Sequence, residues 1–240
     1  MKNIFSKILK NFIPPIFFKV YHIIYLNTQK EMYYGLDNID KKIEKYLNFN
    51  NGFFIEIGAH NGIMQSNTYY LEKNKNWRGV LIEPSPNNYI LCKKNRSKFN
   101  KVYCNACVSF SYKEEFVKIA YAELVSTAIY LESDIDRPLL QAQKGLTFLK
   151  EDEIPIYGAI AKTMNEILVD SNAPQDIDFF SLDVEGSEIE VLKGIDYNTY
   201  QFKYILIESR RPKKIEEFLI NYNYRLIEKL SFNDYLFKLV

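Results

Sequence analysis

The sequence is poor in the residues that most often give a function away. Its 240 residues hold two histidines, His22 and His60, and three cysteines, Cys92, Cys104 and Cys107. Cys104-x-x-Cys107 has the spacing of half a zinc or dithiol site, but no second pair completes it. Thiols buried or half-buried in a reducing compartment are the expectation. Charge of one sign is also missing. Lys plus Arg total 31 and Asp plus Glu 30, a net +1, so no overall field favours nucleic acid or an acidic partner. The basic stretch Lys93, Lys94, Arg96, Lys98 and Lys101 reads as the solvated end of a helix. No uncharged apolar run approaches the ~20 residues of a membrane span. There is no low-complexity tract. The first alanine is Ala59, so the start lacks the small-residue cleavage site of a secretory signal. A cytoplasmic protein is expected.

What is present is a large core. Hydrophobic residues make up 47% of the chain, enough for one sizeable α/β domain. Residues 1–33 read as an N-terminal helical extension. Phe5, Ile8, Leu9, Phe12 and Ile13 recur at helical spacing with Lys2, Lys7 and Lys10 among them, and Pro14-Pro15 stops the pattern. A second aromatic stretch runs from Ile16 to Leu26. Packing on the protein or a partner subunit is expected for this segment, with peripheral contact at the inner membrane as the alternative.

The domain proper, residues 34–240, is organised around Phe53-Phe54-Ile55-Glu56-Ile57-Gly58-Ala59-His60-Asn61-Gly62. An apolar, β-branched strand runs into a short glycine loop, and a helical pattern follows from Ser66 to Lys75. That geometry brings backbone N–H groups close to a small ligand. About 20 residues on, a second buried strand, Gly79 to Glu83, ends in a carboxylate placed to take ribose hydroxyls. The glycine string Glu56-x-Gly58-x-x-x-Gly62 lacks the middle glycine of a dinucleotide loop, and an acid beside a pyrophosphate would repel it. An acid suits the ammonium of S-adenosylmethionine (SAM). The plain alternative is a strand-end acid followed by a turn.

Helix Pro86 to Arg96 and strand Lys101 to Asn105 continue the alternation. It loosens over an insertion around 106–176, with a strand at Val117 to Tyr121 and helices at Pro138 to Leu149 and Thr163 to Val169. It then resumes with strand Ile177 to Asp183, helix Ser187 to Lys193, strand Lys203 to Glu208 and a helix opened by Pro212. Tyr224 to Leu230 and Tyr235 to Val240 read as a closing hairpin. A dinucleotide-binding sheet has no need of that hairpin, whereas the sheet of SAM-dependent methyltransferases ends with one. The expected fold is a Rossmann-like class I methyltransferase: a mostly parallel seven-stranded sheet with a C-terminal antiparallel hairpin and helices on both faces.

Glu56-Ile-Gly58-Ala-His-Asn-Gly62, Ser66-Asn67-Thr68 with Leu71-Glu72, Trp77-Arg-Gly79 and Glu83-Pro84 together resemble the FkbM-type methyltransferases. So does Asp183-Val-Glu185-Gly186-Ser-Glu188 with Val191-Leu192-Lys193-Gly194. The resemblance spans about residues 34 to 240. It implies SAM as donor, S-adenosylhomocysteine (SAH) as product, and methylation of a hydroxyl on a sugar of a surface glycan or on a related secondary metabolite. By position it implies cofactor contacts from Glu56, Gly58, Ala59, His60, Asn61, Gly62, Ser66, Asn67, Glu83 and Pro84. Asn105 and Ala106 would flank the adenine, and Asp183 would also touch the cofactor.

For catalysis, Asp183, Glu185 and Glu208 stand at or beside adjoining strand ends, where three acids need a proton, a cation or Mg²⁺ between them. One of them, or His60, is the candidate base. A small-molecule or glycan acceptor is expected, with no nucleic acid. A nicotinamide oxidoreductase and a catalytically silent SAM-binding protein are the alternatives.

Overall fold

The structure is a computed structural model and describes residues 33–145 and 153–240. The expectations for the N-terminal extension lie outside the described residues. Tyr34 to Val240 form one compact unit. Among the described residues, no helix is long and apolar enough to cross a membrane.

Strand β1 is Phe53–Ile57 and β2 is Arg78–Ile82, with α1 (Ile39–Ile43) before them and α2 (Tyr69–Lys75) between. Helix α3 (Pro86–Asn95) then leads to β3 (Lys101–Tyr103). After the insertion come β8 (Asp176–Leu182), α6 (Glu188–Leu192), β9 (Gln201–Glu208) and α7 (Pro212–Leu219). The hairpin β10 (Tyr224–Lys229) and β11 (Asp234–Leu239) ends the chain. Seven strands lie in the order β10-β11-β9-β8-β1-β2-β3, and β11 is antiparallel to both its neighbours. This is the sheet expected from the sequence.

The order follows from the residues. Phe54, Ile55, Val80, Leu81, Phe179 and Phe180 are all fully buried, as strands covered on both faces require. The chain steps outward from β1 to β2 and β3, then returns to pair β8 on the other side of β1. Right-handed crossovers put the helices of the two halves on opposite faces. The strand order therefore reverses between β1 and β8, and a crevice opens at their carboxyl ends.

The insertion holds more order than its sequence suggests. Short strands β4 (Ala106–Val108), β5 (Phe116–Ala120) and β6 (Thr127–Ile129) join β7 (Ile156–Thr163) in a second sheet, ordered β4-β7-β5-β6. Helix α4 is Pro138–Gln143, and α5 is Met164–Ser171, opened by a Thr163–Glu166 capping box. β4 and β6 have three residues each, too few to show a period.

The expectation for Arg96 is overturned. Its side chain has no exposed surface. Nε donates to Glu72 at 2.6 Å, Nη1 to Glu56 and to the Gly62 carbonyl at 3.1 Å, and Nη2 to Thr68 at 2.8 Å. The guanidinium also lies 5.1 Å from the centre of the Phe54 ring and 5.4 Å from that of Tyr69. It is the C-cap of α3, turned inward by the end of the helix rather than continuing the lysine face.

Removing one partner of a buried pair leaves the other charge unsatisfied. Arg96→Met is expected to destabilise the domain by about 3–5 kcal/mol. Urea unfolding followed by circular dichroism measures it, and a loss below about 1 kcal/mol would show the network to be dispensable.

Candidate functional site

The strand ends meet in one cleft of about 350 Å³, within the usual range for small-molecule sites. The ladder runs on into the loops: Gly58 and Ala59 N–H donate to the Ile82 carbonyl, and Asp183 N–H donates to that of Ile57. Gly58 has φ of +82°, and a Cβ there would lie 1.9 Å from the Asp183 carbonyl oxygen. Only glycine lets the β1 loop pass this close to the end of β8.

Glu83, just past the end of β2, is buried at the cleft. Its two carboxylate oxygens accept from the backbone N–H groups of His60 and Ser85, each at 2.9 Å. Burial outweighs these two bonds and pushes its pKa up to about 7. The carboxylate is fixed in orientation, with lone pairs left for a diol.

Among the residues the sequence singled out, Gly58, His60, Glu83, Pro84, Asn105, Ala106, Asp183, Glu185 and Glu208 line the cleft. Glu56, Ala59, Asn61, Gly62, Ser66 and Asn67 do not. Glu56 was the expected partner of a ligand ammonium, but its carboxylate is occupied within the protein. Ser66, Asn67 N–H, Thr68 and Arg96 all donate to it. Asn61 instead caps the turn through Ile63 and Met64 N–H, and Asn67 donates to Ser181. This group shapes the glycine loop from behind.

At the floor, Asp183 and Glu208 both line the cleft and their carboxyl groups influence each other's ionisation. Burial, then the charges of Glu208, Glu185 and Glu188, raise Asp183 well above the carboxylate range. Glu208 is raised by burial and by Glu185, while the bond to Asp183 and the charge of Arg210 oppose the rise. The rise is the stronger at Asp183, so of the two Glu208 is the better proton acceptor.

Glu185, at φ +52°, accepts from Arg210 at 2.7 Å. Arg210 Nη1 also lies 3.6 Å from Asp134. The cation expected among these acids is thus a side chain the sequence did not single out, although it stands two residues after Glu208. Among the described residues, no group of three or more His, Cys, Asp or Glu is placed to hold a metal ion.

The roof comes from the insertion. A turn at Glu123–Val125 brings Glu123, Leu124, Val125 and Ser126 over the cleft. Glu123 meets His60 Nε2 at 3.2 Å and accepts from Tyr121 at 2.7 Å, joining the insertion to the glycine loop. No periodic signal marks Glu123, so sequence patterning misses it. Cys107, in β4, is buried and its thiol is pushed up to about 12, while Cys104 points at the Pro84 carbonyl.

Residues 56–235 match the family model described as the methyltransferase FkbM domain. The chain belongs to the FkbM methyltransferase family. That replaces the oxidoreductase alternative with methyl transfer. No curated protein matches the chain. Similar solved structures include the methyltransferase FkbM from Methylobacillus flagellatus KT, at 12% identity and TM-score 0.45 over 78% of this chain and 43% of that one. The chain thus spans less than half the length of that relative. A precorrin-6y C5,15-methyltransferase from Geobacter metallireducens GS-15 matches at 12% identity and TM-score 0.43, over 88% of this chain and 90% of that one. A putative RNA methyltransferase from Pyrococcus horikoshii matches at 9% identity and TM-score 0.41, over 85% and 81%.

Methyltransferases in general use SAM, and the cleft suits it. Glu83 offers a fixed acceptor for ribose hydroxyls, and Gly58 lets the β1 loop close against the end of β8. His60 Nδ1 and Ser187 Oγ, on two lining residues, are buried without protein partners.

A diol binds the ionised form of Glu83. With its pKa at about 7, SAH affinity is expected to rise with pH up to about 7 and level off above it. Glu83→Gln should weaken SAH about 10- to 150-fold at pH 8 and remove the pH dependence. Calorimetry across pH 6–8.5 tests both, and unchanged affinity in a folded variant would remove Glu83 from the ribose.

Proposed function

We propose that the protein is a SAM-dependent O-methyltransferase acting on a hydroxyl, on a sugar of a surface glycan or a related secondary metabolite. The observation that carries this reading is the Asp183–Glu208 pair. A hydroxyl that takes up a methyl group must lose its proton, and of these two cleft-lining acids Glu208, the less strongly raised, offers an acceptor for it. When bound, SAM supplies an electrophilic methyl on a sulfonium, and the residues supply position and proton acceptance. Glu83 anchors the ribose. The turn at Glu123–Ser126 excludes water above the reacting groups. Glu208 takes the proton from the acceptor hydroxyl. Asp183, holding its own proton, donates to Glu208 and orients it. Arg210 keeps Glu185 out of that exchange. The balanced charge, net +1, also favours an acceptor that is a small molecule or glycan over nucleic acid.

The pair makes an asymmetric prediction. Glu208→Gln removes the acceptor and is expected to lower kcat about 10²- to 10³-fold while SAH affinity stays within a few-fold. Asp183→Asn can still donate to Glu208, so its loss should be smaller, about tenfold. Transfer of a labelled methyl group from SAM to candidate glycosides is the assay. The reverse order of losses would exchange the two roles, and SAH binding with no transfer to any hydroxyl would favour a silent binding protein.

Because Arg210 already stands beside Glu185, turnover is expected to survive EDTA. Loss on chelation with recovery on added Mg²⁺ would assign these carboxylates to a metal instead.

A further inference from the structure

A second depression lies beside the cleft. It is an open groove of about 650 Å³ between the end of β6 and α4. Its walls are mainly apolar, with Ser133, Asp136, Arg137 and Gln143 among them, and Leu131 lines both the groove and the cleft. Leu139 is 45% exposed, Leu140 51% and Tyr130 83%, so three large apolar side chains face solvent in one place. A cluster of this kind next to a reaction cleft marks a binding surface more often than chance exposure.

The groove is held in fixed relation to the catalytic acids. The strap 131–136 forms one wall. Within it Asp134 N–H donates to the Gly186 carbonyl at 2.8 Å, and the Asp134 carboxylate accepts from Ser209 Oγ at 3.1 Å and Arg210 N–H at 2.6 Å. A Cβ on Gly186 would come within 2.5 Å of Ser133 Oγ and 2.9 Å of Ile135 Cγ1, so the strap packs directly on the turn that carries Glu185. Three nearby cations are engaged, Arg211 with Asp136, and Lys193 and Lys214 with Glu132, while Arg137 lines the groove at the start of α4. Most of the remaining wall is aliphatic, so apolar contact is the main attraction along it.

We propose that the groove lined by Ile129, Leu131, Ile135, Pro138, Leu139 and Leu140 seats an aliphatic portion of the acceptor while the hydroxyl to be methylated lies at Glu208. The acceptor is then an amphipathic alcohol, with a polar, hydroxyl-bearing end in the cleft and a hydrocarbon part along the groove. This rests on the proposed methyl transfer for the role of the cleft, and adds the chemical class of the molecule that enters it.

The test is a chain-length series. Alkyl β-glucosides from methyl to octyl, below their micelle concentrations, are titrated into the full-length protein by calorimetry, with and without SAH. Each added methylene is expected to lower Kd about two- to fourfold until the groove is filled. Leu139→Glu and Leu140→Glu change exposed positions on α4, so folding and SAH affinity should be retained. They should weaken octyl glucoside at least tenfold and leave methyl glucoside unchanged. Equal affinity along the series, or a slope that the variants do not alter, would overturn the proposal. So would a wild-type dimer by sedimentation that either variant makes monomeric, since a second copy would then occupy the groove. Failure of SAH to bind would count against the methyl-transfer reading alone, because the slope is also read without it.

Discussion

A guanidinium with no exposed surface holds the site together. Arg96 reaches the strand end through Glu56, the glycine loop through the Gly62 carbonyl, the start of α2 through Thr68, and α2 itself through Glu72. Glu72 extends the network. It accepts from Ser97 N–H and from Asn100, and Asn100 in turn accepts from Gly79 N–H in β2. One buried charge thereby fixes five segments against one another. Two buried carboxylates around one cation make this stable only because nearly every lone pair has a donor. The arrangement also explains how a carboxylate can precede a cofactor loop without facing it. Glu56 sets the curvature of the loop from behind, and Glu83, just past the end of the next strand, lines the cleft.

Two acids of the same chemical type thus do opposite work because their surroundings differ. Glu56 is satisfied by a cation and three further donors, and contributes order. Glu83 has two backbone donors and no cation, so part of its hydrogen-bonding capacity stays open toward the cleft. Asp183 and Glu208 repeat the contrast at the floor, where the deeper burial of Asp183 raises it more than Glu208. Arg210 lies outside that pair, engaged by Glu185 and Asp134.

The sheet was legible because its strands are long enough to declare themselves. Phe53 to Ile57, Ile177 to Leu182 and Tyr204 to Ile207 are apolar runs bounded by turns, and the terminal hairpin follows from the same patterning. The second sheet was not legible. Three-residue strands carry no period, and β7 reads Ile-Tyr-Gly-Ala-Ile-Ala-Lys-Thr, a mixture that suits several structures. At the site, strand-end acids could be named from position, because open α/β sheets place ligands at their carboxyl ends. Their partners could not. Arg96 stands in a run of lysines, Arg210 beside a second arginine, and Glu123 in an irregular turn with φ of +54°. Each acquires its role from the tertiary fold, through a neighbour distant in sequence, and local pattern cannot show that.

The raised acids also tie stability to function. Glu83 at about 7 and Glu188 at about 8 each ionise at a higher pH in the fold than the 4.5 of an ordinary glutamate. A carboxyl group shifted upward in this way costs nothing below pH 4.5, and its full cost is present above the folded pKa. The empty protein should therefore gain stability as pH falls from 8 toward 5. A ligand that donates to Glu83 reverses part of that cost, because it favours the ionised form. Binding and folding then respond to pH in opposite directions at the same carboxylate. This is what distinguishes a carboxylate held ready for a ligand from one, such as Glu56, whose needs the fold already meets.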